Sequence, residues 1–184
     1  GEAGARVLGV DGNPGSLAPS ASFPSGGTVR FRRIDLHQPL PADVGVFDWA
    51  MSFAVVEHVP FQYEGIFVAN LQRTARRGIL LVWDERGATG TGHVNCRDEA
   101  EVVRIFAAAG FDHDAAASAA LRAGATERWY RLALVLRRRA GPPAAVGLPL
   151  DVDVGHCWAS NATMGSCFAD GLRGLRALVA VLHR

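Results

Sequence analysis

The sequence predicts an α/β fold with a mostly parallel sheet, and three observations carry that prediction. Short apolar runs alternate with segments of helical period from Arg6 to Leu136. The run Ile79 to Trp83 is apolar without interruption, as a parallel strand covered on both faces requires. Polar clusters come after successive runs, which is where doubly wound sheets gather their ligand-binding groups.

The first expected strand, Arg6 to Val10, is closed by the turn formers Asp11, Gly12, Asn13 and Pro14. Pro14 to Gly27, rich in Ser, Pro and Gly, reads as a loop or a broken helix, and Thr28 to Leu36 has strand character. Val46 to Phe53 reads as a buried strand. Pro60 then opens a helix with Tyr63, Ile66, Phe67 and Leu71 on one face, which Arg76, Arg77 and Gly78 are expected to stop.

After the strand Ile79 to Trp83 comes a glycine-rich loop, Gly87 to Gly92. Asn95 with Asp98 three residues on has the form of a capping box, opening a helix through Val102, Val103 and Phe106 to Gly110. A strand begins at Phe111, an alanine-rich helix covers Ala115 to Ala123, and Trp129 to Leu136 reads as a strand ending in Arg137, Arg138 and Arg139. Gly141, Pro142 and Pro143 read as a linker, so residues 140–184 form a tail distinct from the domain at 1–139.

Composition narrows the function. The 184 residues, 49% hydrophobic, suit one domain, and 19 basic against 18 acidic residues give no general reason to expect nucleic acid or an anionic membrane as partner. Every basic residue is arginine, which removes the lysines of P-loop, kinase and pyridoxal chemistry. No run approaches the roughly 20 apolar residues of a membrane helix. Cys96, Cys157 and Cys167 show no C-x-x-C or Cys/His ligand spacing, so no metal is expected and a reducing, cytoplasmic setting is.

Asp11 followed by Gly12 fits a carboxylate that accepts the two hydroxyls of a ribose, and equally a simple Asx turn; Asp35 is open in the same way. An imidazole at His58 is suited to take a proton from a hydroxyl or amine, or sits at a helix start bonded to backbone. His93, in the loop GATGTGHVN, belongs at the same rim, where the glycines would let a lid move. The arginines at 137–139 read as an exposed strand end rather than a phosphate site, and His156 beside Cys157 is weak as a metal site.

In order and spacing, GVDGNP, RIDLHQPLP, FDWAMSFAVVEHVP, ILLVW, GTGHVN, IFAAAGF and RWYRLALVLRR resemble the successive motifs of class I S-adenosylmethionine-dependent methyltransferases, type 11-like, over roughly residues 1–139. The resemblance implies a Rossmann-like sheet, mostly parallel, with an antiparallel strand near its C-terminal edge. It implies S-adenosyl-L-methionine as cofactor, with Asp11 and Gly12 at the ribose, Asp35 and Leu36 at the adenine, and Ser52 and Phe53 at the methionine end. Glu57 and His58 match the family's EH pair, which with His93 would border an unidentified acceptor, a small molecule rather than a macromolecule.

The family's first strand and its G-x-G-x-G loop would precede Gly1, so the resemblance implies a domain truncated on that side. That strand would stand between the strands carrying Asp11 and Asp35 and those carrying Asp48 and Trp83, leaving two half-sheets with unpaired edges. One alternative has the tail return a strand from Leu150 to Val154. The competing functions are a methyltransferase-like binding module without catalysis and a nicotinamide-dependent oxidoreductase, which would keep the acidic ribose ligand but explain neither the EH pair nor the GHVN loop.

Overall fold

The computed structural model describes residues 7–13, 29–127 and 129–141. The expected loop at 14–27, the linker beyond Gly141, the tail strand at Leu150 to Val154 and the His156–Cys157 pair lie outside these residues. Among the described residues no helix is long and apolar enough to cross a membrane.

Among the described residues the strands form two sheets. In the first, β1 (Val7–Asp11) pairs in parallel with β2 (Val29–Arg33), Asp11 lying opposite Arg33. The second has four strands in the order β3-β4-β6-β5: β3 (Phe47–Phe53), β4 (Ala75–Val82), β5 (Phe111–His113) and β6 (Leu134–Arg138). β3 and β4 run parallel, and β6 is antiparallel to both of its neighbours. The expected α/β sheet with one antiparallel strand near the C-terminal edge is therefore present, and no ladder joins β1 to β3 among the described residues.

Period-two alternation assigns the sheet's two faces. Ile79 and Leu81 of β4 and Leu134 and Leu136 of β6 join the main core with Tyr63, Phe67, Val102, Phe106 and Phe111. Leu80 and Val135, one residue out of phase, point the other way into a smaller cluster with Ala117. Helices α1 (Glu64–Thr74) and α2 (Glu99–Ala108) thus supply one face, and α3 (Ala115–Ala123) the other. Coverage on both faces is why β4 has no polar residue from Gly78 to Val82.

Four expectations need correction. The strand expected to be buried from Val46 to Phe53 runs Phe47–Phe53 and is mostly half-buried, with Val46 and Met51 exposed and Ser52 alone of its described residues buried. Arg76, Arg77 and Gly78 do not stop α1 but belong to β4, which starts at Ala75 directly after Thr74. Gly78 serves packing: a Cβ there would stand 2.3 Å from the Trp49 ring and 2.6 Å from the Leu136 carbonyl oxygen. The cap of α2 is Asp98 with Glu101 at the third position, not Asn95 with Asp98, because Asn95 is buried and bonded elsewhere. Trp129–Leu132 is a 3-10 turn, and the strand begins only at Leu134.

The arginine run is fully engaged by protein. Arg137 donates to the Asp114 carboxylate at 2.6 Å, Arg138 to the carbonyls of Ala75 and Gln72 while covering the Phe111 ring, and Arg139 to Asp112 at 2.6 Å. These pairs stitch β6 to its surroundings, and Arg137 and Arg138 are half-buried, so only Arg139 matches the expected exposed strand end.

Candidate functional site

The second sheet builds its polar cluster at the carboxyl ends of β3 and β4. Parallel pairing aligns Ser52 with Leu81 and Phe53 with Val82, so the loops after the two strands emerge at one edge. After Phe53 the chain turns sharply at Ala54, whose φ of 51° lies in the left-handed region and whose N–H donates to the Val82 carbonyl at 3.2 Å. A 3-10 turn over Val56–His58 comes next and carries the EH pair.

The loop after β4 returns to that turn. The N–H groups of Val94 and Asn95 both donate to the Glu57 carbonyl, at 2.8 and 3.0 Å. Asn95 itself is fixed on two further sides: its carbonyl accepts from the Trp83 indole at 2.6 Å, and its amide donates to Glu64 at 3.0 Å. Arg97 reaches the same Glu64 oxygen at 2.9 Å. The loop expected to act as a lid is therefore anchored at its far end, and its glycines at 87 and 92 take the positive φ that turns the chain back.

This brings His58 and His93 edge to face, with ring centroids 4.8 Å apart. Nδ1 of His58 lies 3.1 Å from the Gly92 carbonyl oxygen, which only accepts, so Nδ1 carries the proton and Nε2 the lone pair. Nδ1 of His93 lies 3.3 Å from the Asp84 carboxylate, which fixes the same tautomer, with the Cys96 sulfur 3.8 Å from that nitrogen. Burial lowers the His58 pKa, and His93 adds to the lowering, against the Gly92 carbonyl and Asp84, which raise it.

Glu57 corrects the picture of a rim-lining pair. Its side chain turns inward and is 1% exposed, and neither carboxylate oxygen reaches hydrogen-bond geometry with any group among the described residues. Desolvation raises its pKa to about 7, partly offset by its own backbone N–H and reinforced by Asp84. A buried carboxyl without a partner is costly, and such groups concentrate at functional sites. Sequence reasoning missed Asp84 and Cys96 as members of this cluster; only the strand-end position of Asp84 hinted at it.

The other expected residues lie on both sheets. Asp11 ends β1, and its Oδ1 accepts from the Asn13 N–H at 2.8 Å, the Asx turn, while Oδ2 is uncommitted among the described residues. Gly12 is exposed beside it and lies close to the backbone of Ile34 and Asp35. Asp35, just past the end of β2, accepts from the His37 N–H at 2.9 Å and lies 3.3 Å from the His37 ring. Leu36 packs against both the main core and the small cluster under β1 and β2. Ser52 is buried with its hydroxyl unpartnered, and Phe53 meets Tyr130 edge-on at 5.6 Å.

Thus Asp11 and Asp35 share the carboxyl end of one sheet, and Ser52, Glu57, His58 and His93 that of the other. Among the described residues no hydrogen bond or ion pair links the first group to Glu57, His58 or His93.

No family model and no curated protein matches this chain. Solved structures do. Magnesium protoporphyrin IX methyltransferase from Synechocystis with bound SAM aligns at a TM-score of 0.50 and 20% identity, over 74% of this chain and 61% of that one. The same enzyme with bound SAH aligns at 0.42 and 18%, over 66% and 55%. Burkholderia thailandensis 1,6-didemethyltoxoflavin-N1-methyltransferase, with bound 1,6-didemethyltoxoflavin and S-adenosylhomocysteine, aligns at 0.48 and 18%, over 74% and 72%. The chain spans little more than half the length of the Synechocystis enzyme. The SAM-bound alignment shows that this chain has the class I methyltransferase fold.

Proposed function

We propose that residues 1–139 form part of an S-adenosylmethionine-dependent methyltransferase that acts on a small-molecule acceptor. The observation that carries the reading is the fold shared with the SAM-bound Synechocystis enzyme, in which strand-end polar residues are the natural ligand-binding groups. The small molecule in that enzyme's name, magnesium protoporphyrin IX, supports an acceptor of that class.

The residues present suit such a donor. Asp11 keeps one carboxylate oxygen uncommitted for ribose hydroxyls among the described residues, and the buried Ser52 hydroxyl is an unpartnered polar atom at the strand end facing the same edge as the EH turn. S-adenosylmethionine, when bound, supplies an electrophilic methyl group on a sulfonium. The protein's share is then to hold Asp35 and Leu36 at the adenine, Ser52 and Phe53 at the methionine end, and His58 and His93 beside the acceptor. Methyl transfer draws most of its advantage from such in-line placement.

The chain's affinity for the donor should be weak, because β1 and β3 share no ladder among the described residues to lock the two groups in one frame. NMR titration, which reads weak binding, tests the proposal. S-adenosylhomocysteine should shift resonances at Asp11, Asp35 and Ser52, and Asp11→Ala should weaken binding by about 1.5–3 kcal/mol, roughly 10- to 150-fold. Equal shifts with NAD, or an affinity indifferent to Asp11→Ala, would overturn it.

A further inference from the structure

We propose that Glu57, His58 and His93 form a binding site for a divalent first-row transition ion such as zinc or cobalt. One donor atom from each residue lies within 4.8 Å of the other two. In a tetrahedral shell with bonds of about 2.1 Å the donors stand about 3.4 Å apart, so no pair has to close by more than about 1.4 Å.

Two independent features point the same way. The first is Glu57, a carboxylate 1% exposed with both oxygens unpartnered, held within the reach of two imidazoles. Polar groups buried this deeply ordinarily have a partner, and a cation supplies one for a carboxylate. The second is the environment of the imidazoles. His58 Nδ1–H donates a hydrogen bond to the Gly92 carbonyl and His93 Nδ1–H faces the Asp84 carboxylate at 3.3 Å, which leaves Nε2 of each ring with its lone pair. Imidazoles that ligate metals are held by this same arrangement of outer carbonyl and carboxylate acceptors, which sets the tautomer and ring orientation.

The donor set selects the ion. Two neutral imidazoles and one carboxylate suit zinc, cobalt or iron, whereas magnesium and calcium prefer all-oxygen shells. Three protein donors leave at least one position for water or for a heteroatom of a bound molecule. An ion here would also tie the loop carrying His93 to the turn carrying Glu57, reinforcing the two main-chain bonds to the Glu57 carbonyl.

The site is independent of the methyl-transfer reading and is tested without any methyl donor. Chain freed of metal with EDTA and dialysed is titrated with cobalt(II), followed by visible d–d absorption, and with zinc(II), followed by calorimetry. We expect one equivalent of cobalt to give the intense bands of a low-coordinate site and zinc to displace it. His93→Gln and Glu57→Gln should abolish those bands. Asp84→Ala, which removes the carboxylate that accepts from His93, should weaken binding about 10- to 100-fold. Circular dichroism of each variant in EDTA establishes that it is folded. Bands that persist in the folded His93→Gln variant, or their absence in the unaltered chain, would overturn the proposal.

Discussion

Both sheets contain parallel strands, yet their coverage differs. In the four-stranded sheet Ile79, Leu80 and Leu81 are each fully buried, with helices on both faces. In the two-stranded sheet Val7 is 42% exposed and Leu8 and Val10 are half-buried, over a cluster whose buried members among the described residues are Ile34, Leu40 and Val44. The Phe31 ring covers Gly9, where a Cβ would stand 2.4 Å from it. The two ends of the proposed site thus rest on unequal supports: Asp11 and Asp35 on the thin sheet, Glu57, His58 and His93 on the thick one.

The contrast is clearest in core truncations. Phe106→Ala, at the centre of the main core and edge-on to Phe111, should cost about 3–5 kcal/mol by urea denaturation. Ile34→Ala should fall near the low end for an aliphatic truncation, about 2 kcal/mol, and leave amide protection in β4 and β6 intact by hydrogen exchange. Loss of protection in β4 on Ile34→Ala would show that the sheets unfold as one unit and erase the distinction.

Glu57 sharpens it, because the thick sheet is stable enough to carry an unfavourable group. The folded state raises the Glu57 pKa from 4.5 to about 7, so it binds the proton more tightly than the unfolded chain does. The contribution is most favourable below about pH 4.5 and is lost as pH rises to about 7, a change of about 3 kcal/mol. His58, whose pKa is lowered, acts in the opposite sense, and Asp84 and His93 face the same cluster. The measurement is therefore the difference between the chain and Glu57→Gln, by urea denaturation at pH 5 and pH 8 with EDTA present. Glu57→Gln should gain relative stability at pH 8. A pH-independent difference would show that Glu57 is not desolvated as the fold implies.

The smallest effect concerns Ala54. Its left-handed conformation costs an L-residue roughly 1–2 kcal/mol, part of which glycine returns as entropy, so Ala54→Gly should stabilise by roughly 0.5–1 kcal/mol. A destabilised Ala54→Gly variant in thermal melts would mean that the Ala54 methyl packs more usefully than its backbone suffers.

Much of the site was legible for local reasons. The EH pair and the GHVN loop each come after a strand, and parallel strands deliver both to one edge. Asn95 misled because a capping box is a local pattern, and the local alternative of Asp98 with Glu101 satisfied the helix better while Asn95 was drawn to Glu64 and Trp83. The metal reading was invisible because its third donor, His93, stands 35 residues beyond the adjacent Glu57 and His58.

The sequence by itself determined the alternation of strands and helices, the uninterrupted burial from Ile79 to Trp83 and the presence of polar groups after each strand. Those features arise from periodicity and turn chemistry acting over a few residues. Only the tertiary structure decided that Glu57 faces inward without a partner, that His93 is held by Asp84, that His58 meets Gly92 across 34 residues of chain, and that the arginine run is spent on Asp112, Asp114 and backbone carbonyls. Desolvation and hydrogen-bond partnership depend on atoms brought together from distant parts of the chain, and no local pattern encodes which side chain closes over which.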